Sequence, residues 1–361
     1  MRVVQLLQKR EGCMHEDREV NSGTLWRERA FVKVFLAAVF LALAHFIHTS
    51  YFTGYSMGVS SLPQPSNLSR PALATAHAPE AYRVAIPALN KFLVRMFHAH
   101  DPTAIAAALD FVFGSIASYL LYRVAVAGFP ATGARMKERL LVVAFFLAFL
   151  QLAFPWVVHL QRPETLPSAL FLAIALYCLT RSGEGVTWSL VLLAAAAIQG
   201  FIRADVPFTF GIGLALASLM GDNLAAFGSR YSTLLKGIGI ALVSGAAQAY
   251  LQLVRFPHLT YMPGTSVIQF RNNFGLHNLS NCLIAIFPYL ALGCLLIIKR
   301  VRLDAVDTVV VVVSLVYLPV WFTVGLVDEV RIYVPFLMLL SVVAAKCLTS
   351  CILGDEPSDA R

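Results

Sequence analysis

Apolar runs of helical length, separated by short polar stretches, repeat along this chain from residue 31 to residue 352. A bilayer hydrocarbon core of about 30 Å takes about 20 mostly apolar helical residues to cross. Ten windows approach that requirement, near 31–49, 103–127, 140–160, 165–180, 186–202, 206–220, 233–253, 281–298, 305–326 and 332–352. Several are short or contain proline, at Pro155, Pro167, Pro207, Pro288, Pro319 or Pro335, which membrane helices tolerate when neighbours take up the freed carbonyls. The pattern predicts an all-α, polytopic transmembrane bundle of about ten spans. A polar leader occupies 1–30, the transmembrane domain 31–352 and a tail 353–361. Two longer polar segments, 50–102 and 254–280, interrupt the rhythm. The first opens as a loop around Pro63-Gln-Pro65; its end, 81–97, sets Val84, Pro87 and Ala88 among Lys91 and Arg95 in the manner of a helix lying in the interface.

Composition agrees with this reading. A chain that is 58% hydrophobic and 13% charged, with a mean hydropathy of +0.71, carries more apolar surface than a soluble fold can hide. The charges mark orientation. With the N-terminus inside, Arg27, Arg29 and Lys33, then Arg135, Lys137 and Arg139, then Arg230 and Lys236, then Lys299, Arg300 and Arg302 all fall on the cytoplasmic side. A multi-pass inner or plasma membrane protein with both termini cytoplasmic follows. The net charge of +8 is an orientation signal and an attraction to membrane lipid. No basic stripe with interleaved aromatics points to nucleic acid. Ala42-Leu43-Ala44 has the form of a signal-peptidase site but lies inside the first apolar run, after a long leader, so an uncleaved anchor is expected. The six cysteines show no paired-ligand spacing. His98-Ala-His100-Asp101 offers metal-binding side chains, but His at i and i+2 do not share a helix face and no third cluster stands at a zinc spacing. No metal ligands are assigned, the pattern places none for a divalent ion bridging a lipid phosphate, and the cofactor is left open. Asn67-Leu-Ser69 and Asn278-Leu-Ser280 match the glycosylation acceptor pattern on the outer side.

The polar residues within the spans gather toward that side. His45, His48, Asp110, His159, Gln199, Gln248 and Gln252 all fall in outer halves, whereas inner halves such as 140–146 and 308–313 are almost purely apolar. An ionisable group in hydrocarbon costs at least about 2.5–3.5 kcal/mol, so Asp110 is expected to face protein, water or a partner. Three arginine–acid groupings, Arg162/Glu164, Arg203/Asp205 and Asp328/Glu329/Arg331, share the outer side. Together these features predict a polar cavity that opens outward.

Four segments carry a family resemblance. Glu80-Ala-Tyr82-Arg83-Val-Ala-Ile-Pro87-Ala-Leu resembles the stretch after the first outer loop of bacterial polytopic proteins in the C-type glycosyltransferase superfamily and its uncharacterised relatives. Pro163-Glu164-Thr-Leu-Pro167, Ile202-Arg203-Ala-Asp205 and Asp328-Glu329-Val-Arg331-Ile-Tyr-Val-Pro335 are similar to acid–proline and arginine–acid segments of the same group. The resemblance implies transfer of a sugar from a polyprenyl-phosphate carrier to an acceptor hydroxyl at the outer membrane face. Such transfer takes a carboxylate to accept the hydroxyl proton and cations to hold the leaving phosphate. On that basis Glu80 is the expected catalytic carboxylate. Arg83, Arg203 and Arg331 are the expected phosphate ligands, since a guanidinium grips phosphate bidentately. Asp110, Glu164, Asp205 and Glu329 are the expected polar groups of the cavity. The family usually carries an acid early in the first outer loop, and residues 50–79 contain none. Glu80 and Arg83 are also spaced to pair across one helical turn, and Asp205 or Glu329 could replace Glu80. A transporter or flippase using the same outward cavity, and a non-catalytic protein of the same fold, are the alternative readings.

Overall fold

The structure, a computed structural model, describes residues 29–48, 83–127, 136–158, 164–182, 185–220, 227, 229–257, 273, 275, 291–294, 303–324 and 333–353. Those residues form helices and the turns that join them, with no strand among them. In chain order the principal helices are α1 (Arg29–His48), α2 (Ala85–Met96), α3 (Pro102–Val126), α4 (Met136–Val158), α5 (Thr165–Thr180), α6 (Val186–Arg203), α7 (Asp205–Met220), α8 (Arg230–Tyr250), α9 (Ala305–Val324) and α10 (Val334–Leu353). Six helical stretches are long and apolar enough to cross a membrane: Arg29–His48, Ala104–Val126, Val186–Arg203, Arg230–Arg255, Ala305–Thr323 and Val334–Leu353. The 23-residue α4 runs beside them, and α5 and α7 are shorter apolar helices. The chain is an integral, multi-pass, helical membrane protein. Of the ten predicted windows, 281–298 lies mostly outside the described residues.

The prolines act mostly as helix starters. Pro167, Pro207 and Pro335 stand in the first turns of α5, α7 and α10, where backbone N–H groups have no intrahelical acceptor and proline removes nothing. Pro319 does lie inside α9.

Packing follows a simple division between a buried and an exposed face. On α1, Phe35, Val39, Leu43 and Ile47 recur every fourth residue and are buried, while Val34 and Leu41 are exposed. A spacing of four is one helix face. That face meets α3 and α4: the Phe35 ring lies 4.4 Å from Tyr122 and 5.9 Å from Phe146. Leu43 packs into the space left by Gly114. Lipid tails are as apolar as leucine, so contacts between membrane helices gain their stability from close backbone approach rather than from exclusion of water. The α7–α8 contact is of this kind. A Cβ on Gly211 would fall 2.6 Å from the Gly237 carbonyl oxygen and 2.7 Å from the Ala241 nitrogen, and a Cβ on Gly237 would fall 2.7 Å from the Ala215 nitrogen. Gly213 gives α9 the same access, its Cβ position being 2.7 Å from Val313 Cα. These glycines draw α7, α8 and α9 together and so fix the level at which α7 begins.

Candidate functional site: two ion pairs at the helix starts

Four of the residues singled out by the sequence meet at one end of the bundle. Arg83, just before α2, donates to Glu164 Oε1, just before α5. At the end of α6, Arg203 grips Asp205 at the start of α7. Its Nη2 lies 2.9 Å from Asp205 Oδ2, and its Nε lies 3.1 Å from Oδ1 and 3.2 Å from Oδ2. A single residue, Ala204, separates the two helices, so the turn itself brings the pair together. The two pairs lie within electrostatic reach: Arg83 acts on Asp205, and Glu164 acts on Arg203. The ends of the helices favour this arrangement, since acids are stabilised at helix N-termini and a cation at a C-terminus. Glu164 precedes α5, Asp205 opens α7 and Arg203 closes α6.

A fifth member, Tyr317 of α9, completes the cluster. Its hydroxyl donates to Asp205 Oδ2 at 2.9 Å and accepts from Arg203 Nη2. Its ring is held by a stack of aromatics shared between α9 and α10. Tyr317 lies 3.9 Å from Phe336 with ring planes 14° apart, and Trp321 lies 5.0 Å from Tyr333 at 12°. All four rings are buried. This wall supports the carboxylate from beneath and fixes the phenol in one orientation.

Exposure divides the cluster into supporting and accessible groups. The side chains of Arg203 and Glu164 are 5% and 8% exposed, whereas those of Arg83 and Asp205 are 27% and 38% exposed. Each accessible group is therefore backed by a buried partner of opposite charge. One guanidinium and one carboxylate are thus partly accessible, each held in place by its ion pair. α5 and α7 each have 16 residues, about 24 Å of helix against a hydrocarbon core of about 30 Å. Only Ala204 separates α6 from α7, so the charges lie level with the end of α6, one of the membrane-length helices.

Neighbouring contacts hold the surround. Gln199, one turn before Arg203, donates to Ser168 Oγ at 2.8 Å, and Ser168 Oγ donates to the Glu164 carbonyl at 2.6 Å, which ties α6 to α5 directly behind the charges. The end of α8 widens into a π-helical turn, Leu251–Arg255, a local insertion often found at functional sites. It seats the buried Leu251 against Val84 and Phe201 and so anchors the chain beside Arg83.

Arg83, Glu164, Arg203 and Asp205 lie together at this end of the bundle. Arg83 takes Glu164 as its ion-pair partner, 81 residues away, where the sequence offered Glu80 across one turn. Asp110 is buried on α3. Glu80, Glu329 and Arg331 lie outside the described residues, as do Arg162 and Asp328. No grouping of three or more metal-ligating side chains occurs among the described residues. Tyr317 was missed because a lone tyrosine in a run of valine and leucine reads as core.

The expectation of almost purely apolar inner halves needs correction. At the opposite end of α9, Lys346 of α10 donates at 2.9 Å to Asp304 Oδ2 and at 2.9 Å to Asp307 Oδ1. Lys346 and Asp307 are buried, and Asp304, which precedes α9, is half exposed. Burial pushes the Asp304 carboxyl up, but the adjacent ammonium and the hydrogen bonds from Lys346 and Asp307 outweigh it and hold the group below the usual carboxylate range. Asp307 and Tyr317 are ten residues apart on α9, about 15 Å along its axis. One helix therefore joins both polar clusters.

No protein-family model, curated protein or solved structure matches the chain.

Proposed function

We propose that this membrane protein transfers a sugar from a polyprenyl-phosphate carrier to an acceptor hydroxyl, at the charged cluster on the face that the charge pattern places outside. The observation that supports this reading is the accessible pair of Arg83 and Asp205, each fixed by a buried counter-charge. Asp205 replaces Glu80 as the carboxylate of choice. Arg203 and Tyr317 occupy Oδ2, while Oδ1 receives only the longer Arg203 Nε contact, so an acceptor hydroxyl has a lone pair to meet. In the reaction the bond from the anomeric carbon to the phosphate oxygen breaks, and a bond from that carbon to the acceptor oxygen forms. The hydroxyl proton passes to Asp205, and polyprenyl phosphate leaves with the bonding electrons. Arg83, the more accessible of the two arginines, neutralises the departing phosphate, for which a guanidinium is well suited.

The test is transfer of a labelled sugar from its polyprenyl phosphate in proteoliposomes. Asp205→Asn should lower the rate by about 10²–10⁴, the usual contribution of a general base, and Arg83→Gln should weaken use of the phosphate donor. Unchanged transfer by Asp205→Asn rejects the assignment.

A second reading, translocation of a charged lipid head group, is favoured by the buried Lys346, Asp304 and Asp307 cluster, because intramembrane charges often mark a substrate or proton path. It predicts flux of the labelled lipid across proteoliposomes with no covalent product, abolished by Lys346→Met. Product formation without flux favours transfer.

A further inference from the structure

α2 is too short to cross a bilayer and too apolar on its outer side to face water. Its 12 residues span about 18 Å. Ile86 and Asn90 are buried where α2 packs on α3 and α6. On the side away from that contact Ala88, Phe92 and Met96 follow one another at intervals of four, so they form one stripe. Phe92 and Met96 are 60% and 49% exposed, and Phe97, just past the helix, is 63% exposed. Lys91 and Arg95 form the adjacent stripe, one residue round the helix. The segment 85–96 contains no acid. An apolar stripe with cations along one edge matches the boundary between lipid acyl chains and phosphates, where aromatic and aliphatic side chains enter hydrocarbon and Lys and Arg stay at the head groups. A protein partner would have to supply both an apolar groove and acidic groups. A bilayer with anionic lipids supplies them along any line.

We propose that α2 lies in the membrane plane and docks on anionic phospholipid, with Phe92 and Met96 in the acyl region and Lys91 and Arg95 on head-group phosphates. Arg83 precedes the helix by two residues, so this docking sets the charged cluster at head-group depth. The inference stands whether or not the cluster transfers sugar.

The experiment uses the full-length protein in vesicles of equal parts phosphatidylcholine and phosphatidylglycerol. Phe92→Trp adds a fluorophore, read as the difference from the unsubstituted protein, which has four tryptophans. Lipids brominated on the acyl chain should quench at least half of the added emission, and acrylamide should quench little of it. Quenching by acrylamide without quenching by brominated lipid places the helix in water and overturns the proposal. Energy transfer between labelled copies, with no lipid quenching, assigns the stripe to self-association and overturns it as well. For the charged edge, Lys91→Gln and Arg95→Gln together should lower the enrichment of phosphatidylglycerol around the protein by about fivefold per charge removed. Unchanged enrichment removes the anionic preference. Both substitutions lie on the outward side of α2, and a circular dichroism spectrum unchanged from the parent confirms that the fold is retained.

Discussion

Replacing Tyr317 by phenylalanine isolates the one cluster member that carries no charge. The hydroxyl donates to Asp205 at 2.9 Å and accepts from Arg203, so both of its partners are ionised. A hydrogen bond to a charged group is worth about 1.5–3 kcal/mol. Phenylalanine keeps the ring, which stays stacked at 3.9 Å on Phe336, so the loss is confined to one oxygen. Asp205 is 38% exposed and recruits water in place of the phenol, which brings the expected cost to the lower end, about 1–2 kcal/mol. Tyr122 provides the opposite case. It is equally buried and packs at a tilt against Phe35, but its hydroxyl has no hydrogen-bond partner among the described residues. Tyr122→Phe removes an unsatisfied group and should be neutral or stabilising by up to about 1 kcal/mol. Unfolding of the purified variants in mixed micelles, followed by circular dichroism, measures both. In an Asp205→Asn background the cost of Tyr317→Phe should shrink, because the two residues share one hydrogen bond. Tyr317→Phe within a few tenths of a kcal/mol of the parent, or both tyrosine variants moving in the same direction, would refute the reasoning.

Two further outcomes follow from the packing and the second cluster. Gly211→Ala must push α7 from α8, since its Cβ would meet backbone atoms at 2.6 and 2.7 Å; it should cost at least about 1–3 kcal/mol. Gly239→Ala meets only the end of the Leu193 side chain, at 3.2 Å, and should be tolerated in the same unfolding assay. Asp304 has a folded pKa below its unfolded value near 3.9, so its stabilising contribution is present above about pH 4 and is lost as the pH falls through the lower folded value. Unfolding measured from pH 6 down to 3 should therefore show an acid-labile component that Asp304→Asn removes; an unchanged acid slope in the variant would exclude this contribution.

Local features were the readable ones. Apolar runs place most of the helices because the bilayer demands length and continuity from each segment separately. Arg203 and Asp205 were legible as a pair because one residue lies between them. The Arg83–Glu164 bond was not, since no local rule joins residues 81 positions apart; only the shared outer side, read from the charge pattern, brought them into one group. Tyr317 gives no signal of its own, because a phenol in an apolar run serves equally as core or as donor. Lys346 and Asp307 did leave a sign, opposite charges near the same end of consecutive apolar runs, which the count of basic loop residues passed over. The same is true of Gly211-x-x-x-Ala215 and Gly237-x-x-x-Ala241, whose small residues spell a close helix contact.

In the proposed reaction a lipid-linked phosphate sits at Arg83, in front of Asp205. A polyprenyl phosphate carrying a diazirine beside its phosphate, photolysed in proteoliposomes and mapped by mass spectrometry, tests this directly. The label should fall on residues flanking Arg83, Glu164 and Asp205, should be displaced by excess polyprenyl phosphate, and should drop at least tenfold in Arg83→Gln. Labelling spread evenly over the lipid-facing helices, or undiminished in Arg83→Gln, would contradict it.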